Sequence, residues 1–174
     1  TKIGGVVVFP RLVPPEHPML FARNQTTSGI PELDALLGGG IEQGSSTLIL
    51  GPAGTGKSTF ALQFVAAACK RGEKAAMFVF DEELGLLFER AKVMGFDLEH
   101  LQEAGLLHIE QLDAAELSPG EFAQRVRSRV DQAHAKAIVI DSLNGYQTAM
   151  PEENSLILHV HELLAQLVRL PVPL

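Results

Sequence analysis

The chain of 174 residues has no tryptophan, one tyrosine and one cysteine. The single thiol, Cys69, excludes an internal disulfide and a zinc site built on cysteines. It falls in an apolar-periodic stretch and reads as a small buried hydrophobe. No apolar run approaches the length of a membrane span. The first residues lack the layout of a secretory leader. These absences predict a reducing, cytoplasmic setting. Positive charge is also scarce: 14 Lys and Arg stand against 21 Asp and Glu, a net charge of −7. That argues against a surface that coats nucleic acid, although a local basic groove stays open. His17, His100, His108 and His134 show no metal-ligand spacing. What is plentiful is glycine, 16 residues in a chain that is 46% hydrophobic, as in an α/β protein with one core.

The glycines cluster where chemistry needs them. Gly51-Pro52-Ala53-Gly54-Thr55-Gly56-Lys57-Ser58 matches the phosphate-binding loop pattern G-x-x-x-x-G-K-[ST]. The run 46–50 before it reads as a short buried strand. An apolar-periodic helix begins at about Lys57 and runs through Phe60, Ala61, Phe64, Val65 and Ala68. A triphosphate needs many hydrogen-bond donors close to its oxygens. Glycine has no β-carbon, so the backbone bends around the anion with its N–H groups inward. The helix presents the positive end of its dipole to the same place. In this pattern Lys57 reaches the β- and γ-phosphates, the Ser58 hydroxyl ligates Mg2+, and Thr59 adds a contact to an inner phosphate. The ordinary alternative is a glycine-rich turn with a solvated lysine.

Residues 1–24 differ from the rest. Gly5 to Pro10 has strand character, and Pro14, Pro15 and Pro18 keep the next stretch extended and poor in helix. The segment reads as a linker or the tail of a preceding domain, and 25–174 as one domain. Pro31 to Leu37 predicts a short helix with Leu33, Leu36 and Leu37 on one face and glycine past its end. Ala75 to Phe80 predicts a second buried strand. Leu84, Leu87, Phe88, Ala91 and Met94 then keep helical spacing until Gly95. Leu106 to Ile109 is a third strand. Ser118-Pro119-x-Glu121 resembles a capping box that opens a helix with Phe122, Val126 and Val130 on one side. Ala137 to Ile140 is a fourth strand ending at Asp141, and 156–170 a last amphipathic helix. Strands alternating with helices imply a parallel sheet covered on both faces, with ligands at the carboxyl ends of the strands.

Three groups fall at such ends: the glycine loop, Asp81-Glu82 and Asp141. Asp141 stands where an aspartate holds the Mg2+ of a bound triphosphate, directly or through water; aspartate also caps strands without further role. Asp81 and Glu82 can serve a hydrolase that needs a carboxylate to orient or deprotonate water. Glu82 is the candidate base and Asp81 its partner; a solvated turn opening the next helix is the alternative. Ser142 is placed to sense the γ-phosphate. Asn144 and Tyr146 read as loop residues facing a neighbouring subunit. Arg125 and Arg129 lie one helical turn apart and read first as a solvated face, second as a nucleic-acid or subunit contact. His159 and His161, two apart on a helix, do not share a face.

Ser28-Gly29-Ile30-Pro31-Glu32-Leu33-Asp34 with Leu37-Gly38-Gly39-Gly40-Ile41, the loop from Gly51 to Ser58, Phe80-Asp81-Glu82, Gly95-Phe96-Asp97-Leu98 and Ile140-Asp141-Ser142 together resemble the KaiC-like branch of the RecA superfamily of ATPases. The resemblance covers about residues 26 to 169. It implies a P-loop NTPase with a RecA-like core: a mostly parallel central sheet flanked by helices. It implies ATP and Mg2+ as ligands, slow ATP hydrolysis, and a hexameric ring with ATP bound between subunits. It implies a role driving or reporting assembly in a signalling or regulatory protein with protein partners. The family's pair of catalytic glutamates falls on Asp81 and Glu82, the first one methylene shorter here. The nucleotide contacts fall on Gly51, Pro52, Ala53, Gly54, Thr55, Gly56, Lys57, Ser58 and Thr59. The family also continues with a strand between the loop strand and the Asp141 strand. This sequence ends Leu170-Pro171-Val172-Pro173-Leu174, so a truncated domain with an incomplete sheet is expected. The adjacent serine and threonine that clock-type KaiC phosphorylates lie beyond this stretch, and nothing here supports autokinase activity. A DNA-dependent RecA or RadA-type recombination ATPase is the nearest alternative, and a non-hydrolysing, nucleotide-dependent assembly module a third.

Overall fold

A computed structural model of the chain describes residues 24–80, 82–148, 160, 163 and 164. The expected linker of 1–24, apart from Asn24, lies outside the described residues, as does most of the expected helix of 156–170. In chain order the elements are β1 (Gln25–Thr26), α1 (Pro31–Leu36), β2 (Ile41–Glu42), α2 (Lys57–Lys70), β3 (Lys74–Val79), α3 (Leu84–Val93), α4 (Leu98–Glu103), β4 (Leu107–Gln111), α5 (Pro119–Asp131), β5 (Ala135–Asp141) and α6 (Leu143–Thr148).

The sheet order is β4-β3-β5, and both pairings are parallel. β3 is central and buried along its length after Lys74. Side chains alternate across a strand, and the sheet divides the core accordingly. Ala76, Phe78 and Phe80 face one cluster with Phe122, Val126, Tyr146 and Leu163. Ala75, Met77 and Val79 face the other with Leu62, Val65, Leu87, Ala91 and Leu98. Helices therefore cover both faces, and the expected α/β class with a parallel central sheet is the observed one.

Local signals explain most boundaries. Ser118 Oγ accepts from Glu121 N at 3.3 Å, as the capping box requires, but the Glu121 carboxylate turns to Arg125 instead of closing the box. Asp97 caps α4 by accepting from His100 N at 3.0 Å. Gly95, at φ 83°, lets the chain leave α3 and turn towards α4. Sequence periodicity does not predict α4, because six residues carry too little of it. Nor does it predict the β1–β2 pair, whose close approach depends on Gly40, where a β-carbon would lie 2.5 Å from the Thr26 carbonyl oxygen.

Two expectations fail. Residues 46–50 form no strand, and Leu48 and Leu50 are 62% and 82% exposed. A strand exists only where a neighbour takes its N–H and C=O groups. Both edges of β3 are taken, and among the described residues no strand lies beyond β5. α1 forms, but Leu36 is 84% exposed and no residue of the helix is buried. The motif around it does something else. Ser28, fully buried, donates its N–H to Asp34 Oδ1 at 2.7 Å, and its carbonyl accepts from Gln63 Nε2 at 2.6 Å. Arg71 adds a bond to the Thr27 carbonyl at 3.0 Å. This segment is therefore pinned along α2, the helix that carries the loop. The Ser28 backbone bond holds the Asp34 carboxyl below its usual range.

Candidate functional site

The loop is shaped by its glycines. Gly54 and Gly56 have φ of 80° and 89°, the left-handed region that other residues enter only at a cost. At Gly51 a β-carbon would lie 2.8 Å from Thr55 Oγ1, so that hydroxyl would have to move aside. The Thr55 hydroxyl in turn donates to the Pro52 carbonyl at 2.9 Å. No side chain caps α2. The N–H groups of Lys57, Ser58 and Thr59 meet no acceptor among the described residues, so the first turn offers unused donors to an anion. Lys57 Nζ donates to the carbonyls of Gly51 and Pro52 at 2.9 and 2.7 Å, folded back against the loop.

The position of that helix start comes from lengths. α2 has 14 residues and β3 has 6, so they run about 21 Å and about 20 Å. The turn Arg71-Gly72-Glu73, closed by Glu73 N to Ala68 O at 3.0 Å, joins the end of α2 to the start of β3. α2 packs along β3 and β5. Its first turn thus lies level with the carboxyl ends of the strands.

The acids are at the same end. Asp141 closes β5, half-buried and in register with Val79. The Phe80 N–H donates to the Asp141 carbonyl at 2.8 Å, tying the two strand ends together. The Asp141–Ser142 peptide is cis. Ser142 Oγ accepts from Gly145 N at 3.3 Å at the start of α6. Glu82 comes two residues after Phe80. Both its carboxylate oxygens accept from Arg90, at 2.6 and 2.8 Å. Asp81 lies outside the described residues. Sequence reasoning missed Arg90; its one signal is a spacing of two helical turns from the acid.

The donor set suits a magnesium nucleotide. Among the described residues no group of three or more His, Cys, Asp or Glu is placed to hold a metal by itself. Mg2+ in nucleotide sites takes one or two protein oxygens and completes its shell with phosphates and water. Ser58 and Asp141, each half-buried, carry oxygens of the kind such a shell takes.

Two other readings change. Tyr146 is not a loop residue. It lies in α6, 2% exposed, with its ring 4.6 Å from Phe122 and 5.5 Å from Phe80, and burial pushes its hydroxyl up to about 12. Asn144 lies in the same short helix and is exposed. Arg125 and Arg129 do lie on a part-exposed helix face, where Arg125 is engaged by acids. It bonds Glu110 and, at 2.6 Å, Glu121. Arg129 approaches Glu110 at 4.0 Å. Burial works against the Glu110 charge, but hydrogen bonds from His108 and Arg125 outweigh it and hold that carboxyl below its usual range.

A glycine loop opening a helix at the carboxyl end of a parallel sheet, with acids at neighbouring strand ends, defines a P-loop NTPase with a RecA-like core. The family described as "ATPase: KaiC" matches residues 26–171. The chain belongs to this family. It is 32% identical over 120 residues to the circadian clock oscillator protein KaiC of Acaryochloris marina, a match covering 69% of this chain and 23% of that protein. The KaiC of Picosynechococcus sp. is 31% identical over 118 residues, covering 68% and 23%. KaiC 1 of Synechocystis sp. is 30% identical, covering 68% and 23%. The matched stretch thus spans about a quarter of the length of each relative.

Proposed function

We propose that this domain, residues 25–174, binds ATP with Mg2+ and hydrolyses it slowly. One observation carries the reading. The unused N–H donors at the start of α2 share one end of the sheet with Glu82 and Asp141. Gly51 to Thr59 hold the phosphates through their backbone, and Lys57 moves from the carbonyls of Gly51 and Pro52 to the β- and γ-phosphates. Ser58 and Asp141 hold the metal, which when bound offsets charge on the phosphate oxygens. Glu82, with Asp81 beside it, takes the proton of the attacking water. The water oxygen bonds the γ-phosphorus as the bond to the ADP oxygen breaks, giving ADP and phosphate.

Turnover is slow because no arginine among the described residues is spare to complete the site. Arg71, Arg90, Arg125, Arg127 and Arg129 each pair with a nearby acid. A cation from a neighbouring subunit supplies the missing charge in a homo-oligomeric, hexameric ring, and protein partners of a signalling assembly read the state of that ring. The relatives are circadian clock oscillator proteins, of which about a quarter of the length is matched. No helix among the described residues is long and apolar enough to cross a membrane. Burial raises the Cys69 thiol above its usual range, so an inert thiol in a reducing cytoplasm fits.

Steady-state ATPase assays on the full-length protein test the reading. Wild type turns over with Mg2+, and Glu82→Gln binds ATP but loses most of the turnover. Negligible turnover in wild type and Glu82→Gln alike, with ATP still bound, points to a module that uses nucleotide occupancy alone. Stimulation by single-stranded DNA points to a recombination ATPase. Among the described residues the pairing of Arg125 with Glu110 and Glu121 counts against a basic groove at that helix.

A further inference from the structure

We propose that Arg90 is the positioning residue of the water-activating carboxylate, fixing the plane of Glu82 so that one face of it stays open to the attacking water. The inference rests on the ATPase reading above. Arg90 gives both terminal nitrogens to the two oxygens of Glu82, at 2.6 and 2.8 Å, while its Nε is buried without a partner. The fork is committed to this one acid.

Exposed ion pairs do little as a rule, but this one differs in two respects. The Glu82 side chain is 24% exposed against 40% for Arg90, so the acid's end of the pair is the sheltered one. The base of Arg90 is also immobile. α3 is anchored by Leu87 and Ala91, both fully buried, and Ala91 adjoins Arg90 in the chain. Helical side chains lean towards the N-terminus. Arg90 therefore reaches back over the first turns of α3 to the residue just before the Glu83 cap. A planar, two-pronged contact sets both the place and the tilt of a carboxylate, which a single ammonium does not. Each oxygen keeps a lone pair for water.

The test uses the full-length protein and the variants Arg90→Ala and Arg90→Lys, the second keeping the alkyl stem and charge should the first unfold. Both lower kcat by about 10- to 100-fold and leave KM and the affinity for ATP with Mg2+ as in wild type. Added guanidinium ion at low, non-denaturing concentration restores part of the Arg90→Ala turnover. Glu82→Gln combined with Arg90→Lys is no slower than Glu82→Gln alone. Wild-type kcat in both variants, or equal losses in kcat and ATP affinity, overturns the positioning role. If Glu82→Gln itself leaves turnover intact, the base assignment falls, and the positioning role falls with it. A normal Glu82→Gln loss beside silent Arg90 variants leaves the ATPase reading standing and removes only this inference.

Discussion

The N–H of Phe80 donates to the carbonyl of Asp141 at 2.8 Å, so the last residue of one strand and the first residue past its neighbour are bound to each other. That bond holds the carboxyl ends of β3 and β5 together, with the candidate metal ligand closing β5 and the candidate base two residues past Phe80. It is a bond between backbone groups, which single side-chain changes leave in place.

Replacing Asp141 by Asn is therefore expected to spare the fold. The ladder bonds of β5 stay, and the change removes charge at the site alone. ATP turnover falls on the order of 100-fold, and the concentration of Mg2+ needed for half-maximal rate rises. An unchanged Mg2+ requirement, measured by titration in steady state, contradicts the metal role.

Lys57→Ala separates binding from stability. In the free protein Lys57 bonds only the exposed loop carbonyls of Gly51 and Pro52, so the melting temperature stays near that of wild type. On ATP the lysine makes a charge-assisted contact worth about 1.5–3 kcal/mol, so the affinity for nucleotide drops by more than tenfold. Calorimetry with thermal melts checks both.

Tyr146 is the one tyrosine of the chain, and no tryptophan interferes. Near-ultraviolet absorbance therefore titrates a single phenol. Burial pushes it up to about 12, against an unfolded value of about 10. A hydroxyl that holds its proton more tightly when folded contributes stability in full below about 10. That contribution is lost as pH climbs to about 12. The folded chain is expected to ionise late, with denaturant moving the midpoint down. A folded-state midpoint near 10 shows Tyr146 in water and contradicts its place between Phe80 and Phe122.

Phe122, fully buried and edge-on to Phe78 and Phe80, anchors α5 to the central strand. Phe122→Ala is expected to cost about 3–5 kcal/mol, read from urea unfolding. A loss below about 1 kcal/mol means the sheet face is not packed as described.

The parts of the site most legible in the sequence are those with a fixed local chemistry. Gly54 and Gly56 adopt the left-handed φ that their pattern requires, and Asp141 ends an apolar run that is indeed a strand. The hidden parts depend on distant neighbours. Residues 46–50 have the composition of a strand, but pairing decides the matter and composition does not. The leucine spacing of α1 implies burial, whereas the motif is held by Ser28, Asp34 and Gln63 through polar bonds. Tyr146 looks like a surface residue because six helical residues after an aspartate carry no periodic signal. The Arg90 fork is invisible for a different reason: spacing of two turns is compatible with contact, and only the geometry of the segment before α3 makes it one.

Isothermal titration calorimetry of the purified full-length protein with ATP and Mg2+ bears most directly on the central claim. Saturable binding to wild type and to Glu82→Gln, weakened more than tenfold by Lys57→Ala, is the predicted result. Absence of nucleotide binding to a folded wild-type protein, or equal binding by Lys57→Ala, contradicts it.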